Sequence, residues 1–337
     1  MDSNRLKPAE VPSLKGFSVG MPLYHRFSDV DELAAYAPEG KNLRVTQLSF
    51  QPFQCGSITL NLGVVRFSFN HLHCAIKVVG SKTSGFLSFV CFPFGLERPV
   101  ISHDRLVTQD FLYGFDPNRT VNQFIPANSI HCSVSIREDV FDTMTEIMDR
   151  PDLKATFLAL QYAYAHDTLP PLRAYLSQLY ELGRHRSPLL QQSNFQQLIV
   201  QDYLPLLITT LPLQQDQLKI RLKSFQRSHL VKQAEDYMQA HIDQPLTLTD
   251  LCDALDTSSR ALSYGFQEMF GMSPMAYLKT LRLQTVHRAL KTADPTNTNI
   301  IAIANQFGFW SMGHFSRDYK QMFGELPSAT LRQASNY

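Results

Sequence analysis

The chain has 337 residues, 44% of them hydrophobic, and its 31 Lys and Arg nearly cancel 30 Asp and Glu, leaving a formal net charge of +1 at pH 7. That length suffices for two or three domains with real cores, and the balanced charge excludes a protein that meets nucleic acid or membrane through a global basic field. Five cysteines (Cys55, Cys74, Cys91, Cys132, Cys252) without a CxxC pair, no leader pattern, and no apolar run near the roughly 18 residues of a membrane span predict free thiols in a cytoplasmic protein with no membrane contact.

Residues 1–137 carry short apolar runs broken by Gly, Pro and Asn: Leu43 to Phe50, Ser57 to Leu62, Val64 to Phe69, Ala75 to Val79, Phe86 to Phe92, Val121 to Ile125 and Ile130 to Ile136. Such spacing predicts an all-β sandwich or barrel. Phe53, Phe67, Phe69, Phe89, Phe92, Phe94 and Phe111 are its interior candidates, either lining a pocket or filling an ordinary core. His71, His73, Cys74, His103 and the pair His131-Cys132 are of metal-ligating types. No fixed spacing joins them, so no metal and no cofactor is assigned. A nucleophile elbow, a phosphate-cradling glycine loop and a paired-carboxylate site are all missing from the sequence, and no catalytic residue is assigned.

From 138 to 213 the apolar period lengthens to that of helices. Phe141, Met144, Ile147 and Met148 form one stripe, Leu172, Leu176, Leu179 and Leu182 a second, and Phe195, Leu198, Ile199, Tyr203 and Leu206 a third. The stripes around Leu172 to Leu206 predict either a homodimer interface or packing within the domain. The Gln-rich, basic stretch 214–227 reads as a linker.

The last region, 228–337, contains a repeat. Met269-Phe270-Gly271-Met272-Ser273-Pro274 returns 53 residues later as Met322-Phe323-Gly324-Glu325-Leu326-Pro327, and walking back from each Pro pairs Phe266 with Tyr319, Leu262 with Phe315 and Asp256 with Gly308. In the first copy Thr247 and Asp250 form a capping box. Asp256 and Gly308 fall where a tight corner needs a left-handed residue. Ser258 and Ser311 are placed to cap the following helices, Gly271 and Gly324 to end them, and Pro274 and Pro327 to prevent continuation. Each copy is thus predicted to be a helix-turn-helix. The run Pro274 to Lys291 reads as one linking helix of about 27 Å at ~1.5 Å per residue, enough to hold two reading helices near the roughly 34 Å repeat of a DNA turn.

Nine Lys and Arg against ten Asp and Glu in 228–337 argue against a simple basic patch. The cations cluster all the same: Arg260, Arg282, Arg288, Arg317 and Lys320 fall on the reading or linking helices, which predicts a local basic face. In the first unit, Ser259, Arg260, Ser263 and Tyr264 hold the positions from which a reading helix contacts bases.

From about Ser228 to Leu331 the chain resembles the DNA-binding domain of the AraC/XylS family of transcription regulators. The resemblance rests on Ile301-Ala302-Ile303-Ala304-Asn305-Gln306-Phe307-Gly308-Phe309 followed by Phe315, Arg317, Tyr319, Lys320, Phe323, Gly324 and Pro327. Gly308-Phe309-Trp310, Gly313, Asp318-Tyr319 and Pro327-Ser328 are similar to the branch that includes the ethanolamine-utilisation operon regulator. The resemblance implies an α+β protein: a small cupin-like β-barrel sensor, a helical connection and an all-α tandem helix-turn-helix head. It places Met312, Gly313, His314 and Arg317, with Lys320 beyond, on the DNA side of the second reading helix. It further implies double-stranded DNA as partner, a homodimer, a small-molecule effector, and activation with RNA polymerase more than repression. The alternatives are a metal-dependent cupin-type enzyme and a regulator without a ligand.

Overall fold

The computed structural model describes residues 20–36, 42–214 and 227–334. In its front region the seven predicted strands are present as β2 (Leu43–Gln47), β3 (Cys55–Asn61), β4 (Val65–Leu72), β5 (Ile76–Gly80), β6 (Phe86–Cys91), β10 (Val121–Ile125) and β11 (Ser129–Arg137). Five more join them: β1 (Leu23–Phe27), β7 (Val100–Ser102), β8 (Arg105–Val107), β9 (Phe111–Tyr113) and β12 (Tyr162–Tyr164). Four of these have three residues each, too few to display a period of two.

The strands pair antiparallel into a seven-stranded sheet, β1-β3-β4-β11-β6-β9-β12, and a five-stranded sheet, β2-β5-β10-β7-β8. Among the described residues no ladder joins the two, so the front region is an open two-sheet sandwich and not the closed cupin-like barrel expected. The three-residue strands β12 and β8 at two of the four edges offer little backbone for a closing pair.

Alternation along each strand divides the seven-stranded sheet between two cores. In β6 all six residues are buried, as in any sheet covered on both faces. Leu87, Phe89 and Cys91 face the helices, while Val90 faces the second sheet. The helices are α2 (Glu138–Ile147), α3 (Ala155–Leu158), α4 (Leu169–Arg184) and α5 (Ser193–Thr210), with a short α1 (Val30–Ala35) against β2. Leu172, Leu176, Leu179, Ile199 and Tyr203 are buried against Phe67, Phe89 and Val134. The stripe offered above as a dimer interface is therefore spent on intradomain packing, and the expected division at 137/138 runs through a continuous core. The aromatic candidates also part company. Phe67, Phe69 and Phe89 lie under the helices, Phe53, Phe92 and Phe111 between the sheets, and Phe94 is 49% exposed with its ring edge-on to Tyr180 at 5.4 Å.

The expected linker 214–227 lies, apart from its two end residues, outside the described residues. Among the described residues seven helices follow: α6 (Ser228–Ala240), α7 (Leu248–Ala254), α8 (Ser259–Phe270), α9 (Pro274–Lys291), α10 (Ile300–Gln306), α11 (Met312–Phe323) and α12 (Pro327–Gln333). They dock on the outer face of the five-stranded sheet, where Ile101 and Phe124 share a core with Phe266, Phe270 and Tyr277. The side-chain amide of Gln284 accepts from the Gln47 N–H and donates to the Gln47 carbonyl, both at 3.0 Å, satisfying one backbone unit of β2. Lys77 and Tyr277 both hydrogen-bond Glu235. Before α1, Asp29 accepts from His287 at 2.9 Å and Lys291 at 3.0 Å, and Arg288 donates to Asp31 at 2.9 Å and to the Val45 carbonyl at 3.1 Å. Burial pushes the Asp29 carboxyl up, yet the hydrogen bonds from His287 and the Asp31 N–H, with the charges of His287 and Lys291, outweigh it and hold the group well below the usual carboxylate range. Among the described residues no helix is long and apolar enough to cross a membrane, the five thiols are free, and no three His, Cys, Asp or Glu converge as a metal set.

Candidate nucleic-acid interface

Both predicted corners are present. In the first unit, the Thr247–Asp250 capping box starts α7, Asp256 turns the chain with φ 46°, Ser258 accepts from the Ala261 N–H, and Gly271 (φ 72°) ends α8. In the second, Asn299 caps α10, Gly308 (φ 80°) makes the corner and Gly324 (φ 80°) ends α11. A Cβ at Gly308 would also come to 3.0 Å from the Arg282 guanidinium, which would have to give by a few tenths of an ångström. One cap differs from expectation. The Ser311 hydroxyl makes no capping bond; its ψ is 102°, against 147° at Ser258.

On α8, Leu262, Phe266 and Phe270 face the core, so Ser259, Arg260 and Tyr264 are exposed and Ser263 is half-buried. On α11, Phe315, Tyr319 and Met322 face inward, leaving Gly313, His314, Arg317 and Lys320 exposed. Nothing lies within 4 Å of where a Gly313 Cβ would sit, so another backbone can approach there. Met312 is the exception on this helix. It packs partly against the core that α9, α11 and α12 share, with Leu283, Phe315, Tyr319 and Leu331, and offers only an edge to a partner. The docking contacts use the C-terminal ends of both helices, with Phe270 stacked edge-on to Phe124 at 5.6 Å and Gly324 against Pro52. The N-terminal halves, which enter the groove in helix-turn-helix proteins, remain open.

The predicted basic face is smaller than the sequence implied. Arg282 is held by the carbonyls of Ile242 and Gln244, Arg288 by Asp31 and Val45, Lys291 by Asp29, and Lys279 by Asp318. Arg260, Arg317 and Lys320 make no ion pair among the described residues and form the cationic set of the two reading helices. Two residues join them that sequence reasoning did not select. Trp310, the chain's single tryptophan, stands 71% exposed before α11, and Arg227 lies over the exposed Tyr264 ring at 4.7 Å. A bare Trp beside a helix start was the available signal for the first, while the second required the fold.

Arg260→Ala is expected to relax base preference in one half of the bound site and leave the other half intact, since a good bidentate contact contributes about 1–3 kcal/mol of discrimination. Selection of binding sites from randomised duplexes measures it. Uniform weakening on all sequences would instead make Arg260 a phosphate contact.

Comparison with known proteins adds the following. The profile of a helix-turn-helix domain matches residues 251–333. The probable thc operon regulatory protein of Rhodococcus erythropolis is 41% identical over 103 residues, 31% of this chain and 31% of that protein. The XylDLEGF operon transcriptional activator of Pseudomonas putida is 30% identical over 97 residues, 29% of this chain and 30% of that protein. A crystal structure of a transcriptional regulator with an AraC-type DNA-binding domain from Chromobacterium violaceum is 28% identical, covering 31% of this chain and 91% of that one, with a TM-score of 0.29. The match thus spans less than a third of the length of the two regulators. With two left-handed corners, two exposed reading faces and these relatives, residues 251–333 are a helix-turn-helix domain similar to the matching part of two operon regulators.

Proposed function

We propose that the whole chain is a cytoplasmic, non-enzymatic transcription regulator of the AraC type that reads two successive major-groove segments of double-stranded DNA. The observation that carries this is the matched exposure of Arg260 on α8 and Arg317 on α11, each opposite the buried face of its helix. It acts as an effector-responsive activator with RNA polymerase; the activating sign alone is supported by the Pseudomonas putida relative, a transcriptional activator. The Gly308-Phe309-Trp310 segment supports a place near the ethanolamine-utilisation branch. Homodimerisation is supported by the scarcity of free cations, because two weakly charged heads on one operator gain from effective concentration. With α4 packed inward, Leu189 and Leu198 are the exposed large apolar residues that the 172–206 stretch offers for that contact.

The test is binding of the full chain to duplex DNA from its own promoter region across salt concentrations, with footprinting. Expected are two protected segments about one helical turn apart and an affinity that falls with salt, with a log–log slope of about −0.9 per phosphate neutralised. Salt-independent or absent binding overturns the reading.

A further inference from the structure

The second helix-turn-helix is one residue longer than the first, and the structure locates the addition. The Thr257 N–H donates to the Cys252 carbonyl and the Phe309 N–H to the Ala304 carbonyl, each five residues back and each at 3.0 Å, so the two corners match through Phe309. In the first copy the next residue, Ser258, already caps α8, whereas in the second Trp310 intervenes before Ser311 at the head of α11. Trp310 is therefore the added residue. A residue just ahead of the capping position ordinarily serves its helix by packing on the fourth helical residue, as a hydrophobic staple. For α11 that residue is Phe315, and its ring is taken by Phe309, with 5.1 Å between centroids. Trp310 is left without that role. It makes no ring contact, cation–π contact or hydrogen bond among the described residues, and with both domains in place it stays 71% exposed. Nothing inside the chain accounts for holding so large an apolar ring in water.

The neighbours of Trp310 point to what covers it. It precedes Gly313, His314 and Arg317 by three, four and seven residues, the spacing of one helix face continued a turn back, and all three are exposed. The open space at Gly313 admits another backbone closely. The start of a reading helix enters the major groove, and the one apolar group that B-DNA displays there is the thymine methyl. We infer that Trp310 is a specificity-determining residue whose indole packs on a thymine methyl at the edge of the groove segment read by α11. This role rests on the regulator reading above. It also makes the two units unlike, because the first has no residue at this place and its exposed ring, Tyr264, already carries the Arg227 guanidinium over it at 4.7 Å. A thymine requirement therefore belongs to one half of the bound site.

Because Trp310 is the single tryptophan, the full chain carries its own probe. Its fluorescence is followed during titration with promoter duplex, and binding sites are selected from randomised duplexes by the wild-type chain and by Trp310→Ala. Thermal melts check that the variant folds as the wild type does, as expected for an exposed side chain. The emission is expected to change saturably as duplex binds. The wild-type selection is expected to hold a thymine in the half of the site that Arg260→Ala leaves intact, and the variant to lose that thymine while keeping the rest. Replacing it with uracil, which lacks only the methyl, is expected to weaken wild-type binding about fourfold, the transfer value of one buried methyl, and to leave Trp310→Ala binding unchanged. A wild-type selection without that thymine, or a variant that keeps it, overturns this role. If bound duplex also leaves the emission unmoved, Trp310 faces a protein such as RNA polymerase instead. Equal weakening of the variant on every sequence overturns the thymine assignment in favour of a sugar–phosphate contact. Wild-type binding that is absent or independent of salt overturns the regulator reading itself, and is thereby told apart from failure of Trp310 alone.

Discussion

Replacing Arg317 with Ala is expected to weaken promoter binding by about 1–3 kcal/mol, roughly 5- to 150-fold, without loss of fold. Its guanidinium is exposed on α11 and makes no ion pair among the described residues, so nothing internal is lost with it. The helix itself is anchored by Phe315, Tyr319 and Met322, with the Tyr319 hydroxyl 2.8 Å from Thr330 Oγ1 and 2.7 Å from His287 Nδ1. A fixed helix gives a defined place to the fork of Arg317, which suits the O6 and N7 atoms of guanine or a phosphate. Affinities for promoter and scrambled duplexes at several salt concentrations distinguish the two. A base contact weakens the promoter alone, whereas a phosphate contact weakens both and reduces the salt slope by about one ion. Unchanged affinity would mean that α11 does not enter the groove.

Leu172→Ala is expected to lower unfolding stability by about 2–5 kcal/mol and to leave the oligomeric state as it is. Leu172 is fully buried in the core that α4 and α5 share with the seven-stranded sheet, so its loss leaves a cavity that packed neighbours only partly close. Leu198, 51% exposed on α5, is the contrasting position. Leu198→Asp should cost little stability and act on self-association. Denaturant melts and gel filtration of both variants measure the two effects. A dimer dissociated by Leu172→Ala at unchanged stability would return the α4 stripe to the interface.

The tandem helix-turn-helix was legible because its determinants are local. The Thr247–Asp250 box, the left-handed corners at Asp256 and Gly308, and the terminators Gly271 and Gly324 act within a few residues, and a repeat states the same instruction twice. Seven of the eight longer strands were legible for the same reason, β1 being the exception, and so was the exposure of Arg260, Arg317 and Lys320, which follows from the helical period once Phe266 and Tyr319 are placed inside. Tertiary structure alone decided the rest. Arg288 and Lys291 are removed from the basic face by Asp29 and Asp31, carboxylates more than 250 residues away in sequence, and no composition of a helix records which distant charge will meet it. The Leu172 stripe looked the same as an interface or as core, because amphipathicity demands a partner surface without naming it.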